Sequence, residues 1–201
     1  NGRHELGGSD LDASVMFADI RGFTTLSEHL NPHDVVELLN GYFEAMVQEI
    51  TSADGIPDKF LGDGLMAIWG VPGGDPNHAQ KSCQAAIAML NRLKFVNKIR
   101  NQNNLSEIKI GIGIHSGPVI AGNIGSKKKM EYTVIGDTVN ISSRIEGMCK
   151  ILQADLVISN TVYEKLSVGL QAQFTFAGSE QLRGRSESTE LYSYQTPVDI
   201  S

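Results

Sequence analysis

Apolar and polar positions along the chain fall into blocks with two different periods. Residues 13–20, Ala13-Ser14-Val15-Met16-Phe17-Ala18-Asp19-Ile20, are almost continuously apolar. That pattern predicts a buried strand with one carboxylate near its end. Arg21-Gly22-Phe23-Thr24-Thr25 reads as a turn into a helix. Over residues 32–52, Val35, Val36, Leu38, Leu39, Tyr42, Phe43, Met46, Val47 and Ile50 recur at helical spacing. This predicts an amphipathic helix opened by Asn31-Pro32 and stopped near Asp54-Gly55. Residues 56–61 and 65–70 read as short strands around a Gly62-Asp63-Gly64 turn. A second helix is expected over residues 77–96, with Ala85, Ala86, Ile87, Met89, Leu90 and Leu93 on its apolar side. Strands follow at 108–115, 119–124 and 132–135, then a third helix at 138–150. Residues 151–201 read as a smaller β-rich tail with one short helix near 161–167. The polar, Gly-containing residues 1–12 read as a linker, which leaves 13–198 as the domain.

The core order is strand, helix, strand-turn-strand, helix, strand. That is the βαββαβ pattern of an α+β, ferredoxin-like sheet with its helices on one face, here with a C-terminal β-rich extension. Many activities share such a sheet, so function has to be argued from side chains.

Composition narrows the field. The chain has 201 residues, 41% hydrophobic and 20% charged, which fits one sizeable core and fits neither disorder nor a fibre. A formal net charge of −6 argues against a nucleic-acid partner, which would need excess positive charge. Cys83 and Cys149 form neither a disulfide framework nor a zinc-ligand spacing, so a reducing, cytoplasmic location is expected. No apolar run reaches the roughly 18 residues of a membrane span. The start, Asn1-Gly2-Arg3-His4, has no initiator Met and no signal pattern, and reads as a piece of a longer protein with an upstream regulatory domain.

Two carboxylates stand out. In a ferredoxin-like sheet the strand ending at Asp19 neighbours the hairpin carrying Asp63, so both would reach one edge. Paired carboxylates repel unless a cation joins them, and hard oxygen ligands favour Mg²⁺ or Mn²⁺. A capping Asp and a Gly-Asp-Gly turn explain the same spacing without any metal. After Asp19, Gly22 opens a helix start whose free N–H groups suit a phosphate. In Gly136-Asp137-Thr138-Val139-Asn140-Ile141-Ser142-Ser143-Arg144, the residues Asn140 and Arg144 share one helix face. Such a pair can bind a sugar oxygen and a phosphate oxygen, although a solvated helix face also accounts for the Arg. The five histidines are scattered, and His115 and Trp69 read as structural.

Four stretches, in this order, resemble a known family. They are Phe17-Ala18-Asp19-Ile20-Arg21-Gly22-Phe23-Thr24, Asp58-Lys59-Phe60-Leu61-Gly62-Asp63, Gly113-Ile114-His115-Ser116-Gly117 and Tyr132-Thr133-Val134-Ile135-Gly136-Asp137-Thr138-Val139-Asn140. The chain is similar to class III nucleotide cyclase catalytic domains over roughly residues 10–198. The resemblance implies that Asp19 and Asp63, with the Ile20 carbonyl, hold two Mg²⁺ or Mn²⁺ ions per site. It implies that Gly22, Phe23 and Thr24 offer N–H groups to the β and γ phosphates. Asn140 would orient the ribose, Arg144 would stabilise charge on the α-phosphate, and Lys59 with Thr133 would read the purine. The site would form between two copies of the chain, the metal residues from one copy and Lys59, Thr133, Asn140 and Arg144 from the other.

The reaction implied is cyclisation of ATP to 3′,5′-cyclic AMP and pyrophosphate, in signal transduction. Lys59, a donor only, suits the adenine ring nitrogen, and Thr133 can accept from its amine. Thr133 replaces the Asp of many relatives and is similar to a subgroup with bicarbonate-responsive members, so bicarbonate regulation is expected. Arg183, in Leu182-Arg183-Gly184-Arg185, stands where a Lys usually contacts the terminal phosphates, and Gly111 stands where some relatives have a phosphate-binding Arg. The alternatives are a guanylate cyclase and an inactive regulatory module. A diguanylate cyclase is excluded, because Phe60-Leu61-Gly62-Asp63-Gly64 lacks its Gly-Gly-Asp/Glu-Glu-Phe turn.

Overall fold

The structure is a computed structural model that describes residues 8–126, 128–181 and 188–197. It begins with β1 (Gly8–Ile20), a one-turn α1 (Phe23–Ser27) and α2 (Pro32–Ser52). Next come β2 (Ile56–Leu61), β3 (Gly64–Trp69), α3 (His78–Gln102), β4 (Ile110–Ser126), β5 (Lys129–Ile135) and α4 (Asp137–Leu152). The tail holds β6 (Leu156–Ser159), α5 (Asn160–Tyr163), α6 (Val168–Gln171), β7 (Thr175–Glu180) and β8 (Thr189–Tyr194).

One eight-stranded sheet runs in the order β2-β3-β1-β4-β6-β8-β7, with β5 paired to the far end of β4. Its first four strands are the expected ferredoxin-like core. β6 joins beside β4 in parallel, and β8 and β7 extend the sheet antiparallel. The tail therefore continues the same sheet.

The helix over 32–52 has the expected bounds. Asn31 caps it, its side chain accepting from the Asp34 N–H at 3.0 Å, and Pro32 occupies the first turn where its missing N–H costs nothing. Tyr42, Met46 and Ile50 on α2 and Cys83, Ala86, Met89 and Leu93 on α3 pack with Met16, Ala18, Ile112 and Ile114 of the sheet. Trp69 closes this core, its indole N–H donating to the Ala53 carbonyl at 2.9 Å.

Four expectations need correction. β1 begins at Gly8, inside the expected linker. Its residues 8–12 pair with 118–122 of β4 as a partly exposed arm, so they need no apolar pattern. The strands expected at 108–115 and 119–124 are one strand, because β4 runs on through Pro118 where β5 and β6 are not paired to it. The second helix continues to Gln102, and the short helix near 161–167 divides into α5 and α6.

The third helix, α4, lies outside the βαββαβ core. It packs on the face opposite α2 and α3, with Ile141, Ile145 and Cys149 against Val157 and Leu191. Glycines in β4 make this possible. A Cβ at Gly111 would lie 2.9 Å from the Glu146 carboxylate, and one at Gly117 would lie 2.8 Å from the Thr138 hydroxyl. A Cβ at Gly113 would collide with the backbone of α4 itself at Glu146. The helix backbone thus rests almost directly on the strand. The β4–β5 hairpin covers the rest of this face, with Val134 among Val15, Met66 and Ile68.

Candidate active site

Asp19 is the penultimate residue of β1, opposite Gly64 on one side and Gly111 on the other. β2 and β3 are joined by the two-residue loop Gly62-Asp63, with Gly62 at φ 66°, a conformation that favours glycine. This loop brings the Asp63 carboxyl within hydrogen-bonding reach of Asp19. Gly64 leaves room at the junction, since a Cβ there would sit 3.4 Å from Asp19 Oδ1.

The electrostatics of this edge are unbalanced. Burial pushes the Asp19 carboxyl up to about 7, helped by the Asp63 carboxyl and the charge of Glu146, and opposed by the Ile20 N–H. Glu146, on α4, is also raised by burial, with the Arg21 guanidinium opposing and Asp63 reinforcing. Asp19 Oδ1 is buried without a hydrogen-bond partner, and so is the Tyr42 hydroxyl. Burial and the charges of Asp19, Asp63 and Glu146 all raise the Tyr42 phenol. An acidic cluster with an orphaned carboxylate oxygen is the donor set of a hard divalent cation, so the residues fit Mg²⁺ or Mn²⁺.

Gly22, at φ 63°, opens α1, whose first turn has no side-chain cap. Gly22 and Thr24 are exposed and Phe23 is half-buried. On the same face of the sheet as α4, β5 carries Thr133 back over β2. Lys59 Nζ donates to Thr133 Oγ1 at 3.4 Å, Thr133 Oγ1 donates to Asp58 Oδ2 at 2.9 Å, and Lys59 pairs with Asp58 at 2.9 Å. Asn140 and Arg144 are both exposed on α4, on the side away from Ile141, Ile145 and Cys149.

One chain thus assembles Asp19 with Asp63 and Lys59 with Thr133, and displays Asn140 with Arg144 outward. Arg183 lies outside the described residues. Reasoning from the pattern missed Glu146, the Tyr42 hydroxyl and Asp58. A carboxylate one residue from the buried Ile145 was the available signal for Glu146. Tyr42 was counted only as part of an apolar face. A cleft of about 1160 Å³ lies between the C-terminal half of α3, the start of β4 and residues 196–197, and borders this edge only through Arg21. The exposed group His33, Asp34 and Glu37 lies at the α2 start, where Asp34 is engaged by Asn31.

Residues 9–195 match the family described as the adenylate and guanylate cyclase catalytic domain. The chain belongs to this family. It is 34% identical over 181 residues to Adenylate cyclase 1 of Rhizobium meliloti, covering 90% of this chain and 27% of that protein. It is 34% identical over 184 residues to an adenylate cyclase of Anabaena cylindrica, covering 89% of this chain and 36% of that protein. The chain therefore spans between about a quarter and two fifths of these relatives' length. Among solved structures, the guanylyl cyclase Cya2 superposes with a TM-score of 0.83 at 31% identity, covering 97% of this chain and 98% of that one. The adenylyl cyclase CyaB of P. aeruginosa gives 0.78 at 29% identity, covering 94% and 95%. Among the described residues no helix is long and apolar enough to cross a membrane.

Proposed function

We propose that this domain is an adenylate cyclase that converts ATP to 3′,5′-cyclic AMP and pyrophosphate as a homodimer. The observation that carries the choice of ATP is the contact between Lys59 and Thr133, 74 residues apart in sequence and 3.4 Å apart in space. Adenine presents an acceptor at N1 and a donor amine at C6, which this pair matches as donor and acceptor; guanine presents the reverse.

In the proposed reaction the ribose 3′-oxygen forms a bond to the α-phosphorus, loses its proton, and pyrophosphate leaves. Asn140 orients the ribose so that attack is intramolecular and aligned. Arg144 offers its guanidinium to charge developing on the α-phosphate. The N–H groups of Gly22, Phe23 and Thr24 receive the β and γ phosphates, and Arg183 is assigned to the terminal phosphates. Asp19, Asp63 and the Ile20 carbonyl would hold two Mg²⁺ or Mn²⁺ ions, which supply charge neutralisation at the attacking and leaving oxygens.

Two copies complete each site. Asn140 and Arg144 are exposed, and so are the large apolar side chains of Phe60, Leu61, Tyr132 and Ile135, as residues awaiting a partner are. The buried free thiols Cys83 and Cys149 fit a cytoplasmic setting. The greater length of the relatives supports a parent protein with a regulatory segment, and the Thr133 subgroup adds bicarbonate as a modulator.

Similarity to Cya2 favours a second reading, cyclisation of GTP. Product formation from ATP and from GTP, with Mn²⁺ and with Mg²⁺, decides between them. Cyclic AMP in large excess is expected. Dominant cyclic GMP would overturn the base assignment, and neither product from a folded dimer would leave a regulatory module.

A further inference from the structure

Asp58 is the feature this scheme does not use. β2 and β3 pair as Pro57↔Ala67 and then Lys59↔Met66, so Asp58 is the extra residue of a β-bulge. Regular alternation would send Asp58 and Lys59 to opposite faces. The bulge turns both toward Thr133 instead. The Asp58 side chain is only 2% exposed, and its Oδ2 lies 2.9 Å from both Lys59 Nζ and Thr133 Oγ1.

A threonine hydroxyl has one proton and two lone pairs, so alone it can meet either an amine or a carbonyl. A carboxylate accepts only. With its proton committed to Asp58, Thr133 can only accept from anything else that reaches it. Lys59, already held by Asp58, has a remaining N–H for a ring acceptor.

We propose that Asp58 is a specificity-positioning residue: it fixes the polarity of the Thr133 hydroxyl and thereby selects an adenine amine over a guanine carbonyl. Asp58 touches the side chains that read the base and acts through them. The proposal rests on the assignment of Lys59 and Thr133 to the purine.

The test is a double-mutant cycle read as the ratio of kcat/KM for ATP to that for GTP. Asp58→Ala is expected to lower this ratio about tenfold, the scale of one misdirected hydrogen bond. Asp58→Asn keeps most of the preference, because its amide oxygen still accepts from Thr133. On a Thr133→Val background, Asp58→Ala no longer changes the ratio. If Asp58→Ala does not fold, Asp58→Leu restores apolar volume at the position and carries the same expectation.

Equal losses for both nucleotides would reduce Asp58 to a tie between β2 and β5 and overturn the proposal. An undiminished change of ratio in the Thr133→Val background would also overturn it, by showing that Asp58 acts through Lys59 alone. Wild-type protein preferring GTP would sink the ATP reading by itself, whereas coupling between positions 58 and 133 is measured separately.

Discussion

β1 carries two polar side chains, Ser14 and Asp19, whose hydrogen-bond balances are opposite. In its middle, Ser14 bonds His78 Nδ1 at 2.7 Å and Ser116 at 2.6 Å, while His78 Nε2 meets Asp12 at 3.5 Å and Lys165 at 3.4 Å. Lys165 also pairs with Asp12. Nearby, His115 bonds Ser159 at 2.7 Å. Five residues beyond Ser14, Asp19 faces Asp63 and Glu146 with an orphaned oxygen and a raised affinity for protons. The first group is complete and serves the fold. The second is incomplete within the protein, and under the proposed function that imbalance is where a cation and a triphosphate would enter.

The largest expected effect separates these roles. Asp19→Ala should lower product formation by about a thousandfold or more, the scale of several kcal/mol of lost charge neutralisation. The same change should leave the melting temperature of the metal-free protein equal or higher. Ser14→Ala should do the opposite, costing about 1–3 kcal/mol of stability by leaving His78 Nδ1 without its Ser14 partner, with activity per folded molecule retained. Full turnover by Asp19→Ala would break the comparison at its active end. Mixing Asp19→Ala with Asn140→Ala should restore activity through one intact composite site, and confirmed mixed dimers without activity would refute shared sites.

A smaller effect comes from proton linkage at Asp19. Its carboxyl is raised from 3.8 to about 7, so the folded metal-free protein holds a proton that the unfolded chain releases earlier. Stability of the metal-free protein therefore falls as pH rises across that window, and the cost is fully present above it. Mn²⁺ should accordingly raise the melting temperature more at about pH 8 than at about pH 5.5, because binding requires the proton to leave. An equal shift at both values would argue against Asp19 as a ligand.

The smallest effect belongs to the complete network. Burial lowers the His78 pKa from 6.5, with Lys165 adding to this and Asp12 and Asp75 opposing it. His78 thus contributes stability that is present above the unfolded value and lost as pH falls through the lowered folded value. His78→Gln should flatten that acid slope in urea melts, and an unchanged slope would assign it to other groups.

Much of the fold was legible because burial imposes period. The helix at 32–52 and the strand pair flanking Gly62-Asp63 follow from spacing and turn residues alone. The arm at residues 8–12 was hidden because a partly exposed pair needs no apolar alternation. Pro118 read as a break, yet its missing donor falls where β4 lacks a second neighbour. The face chosen by α4 is a tertiary matter, set by glycines in β4 that local pattern does not explain. The approach of Asp63 to Asp19 and the shared helix side of Asn140 and Arg144 were legible from residue chemistry and motif order. Asp58 was not, because a bulge is a register event between two strands and leaves no signature in Ile56-Pro57-Asp58-Lys59-Phe60-Leu61.

The contact at Gly113 has a mechanical side. A helix seated backbone to backbone has no compliant side chain beneath it to absorb displacement. Gly113 is thus a fulcrum, and α4 is a stiff lever whose contact at Glu146 lies six residues, about 9 Å, from Asn140. A single methyl group at that fulcrum would tilt the lever and displace Asn140 and Arg144 together from the positions that the proposed composite site assigns to them.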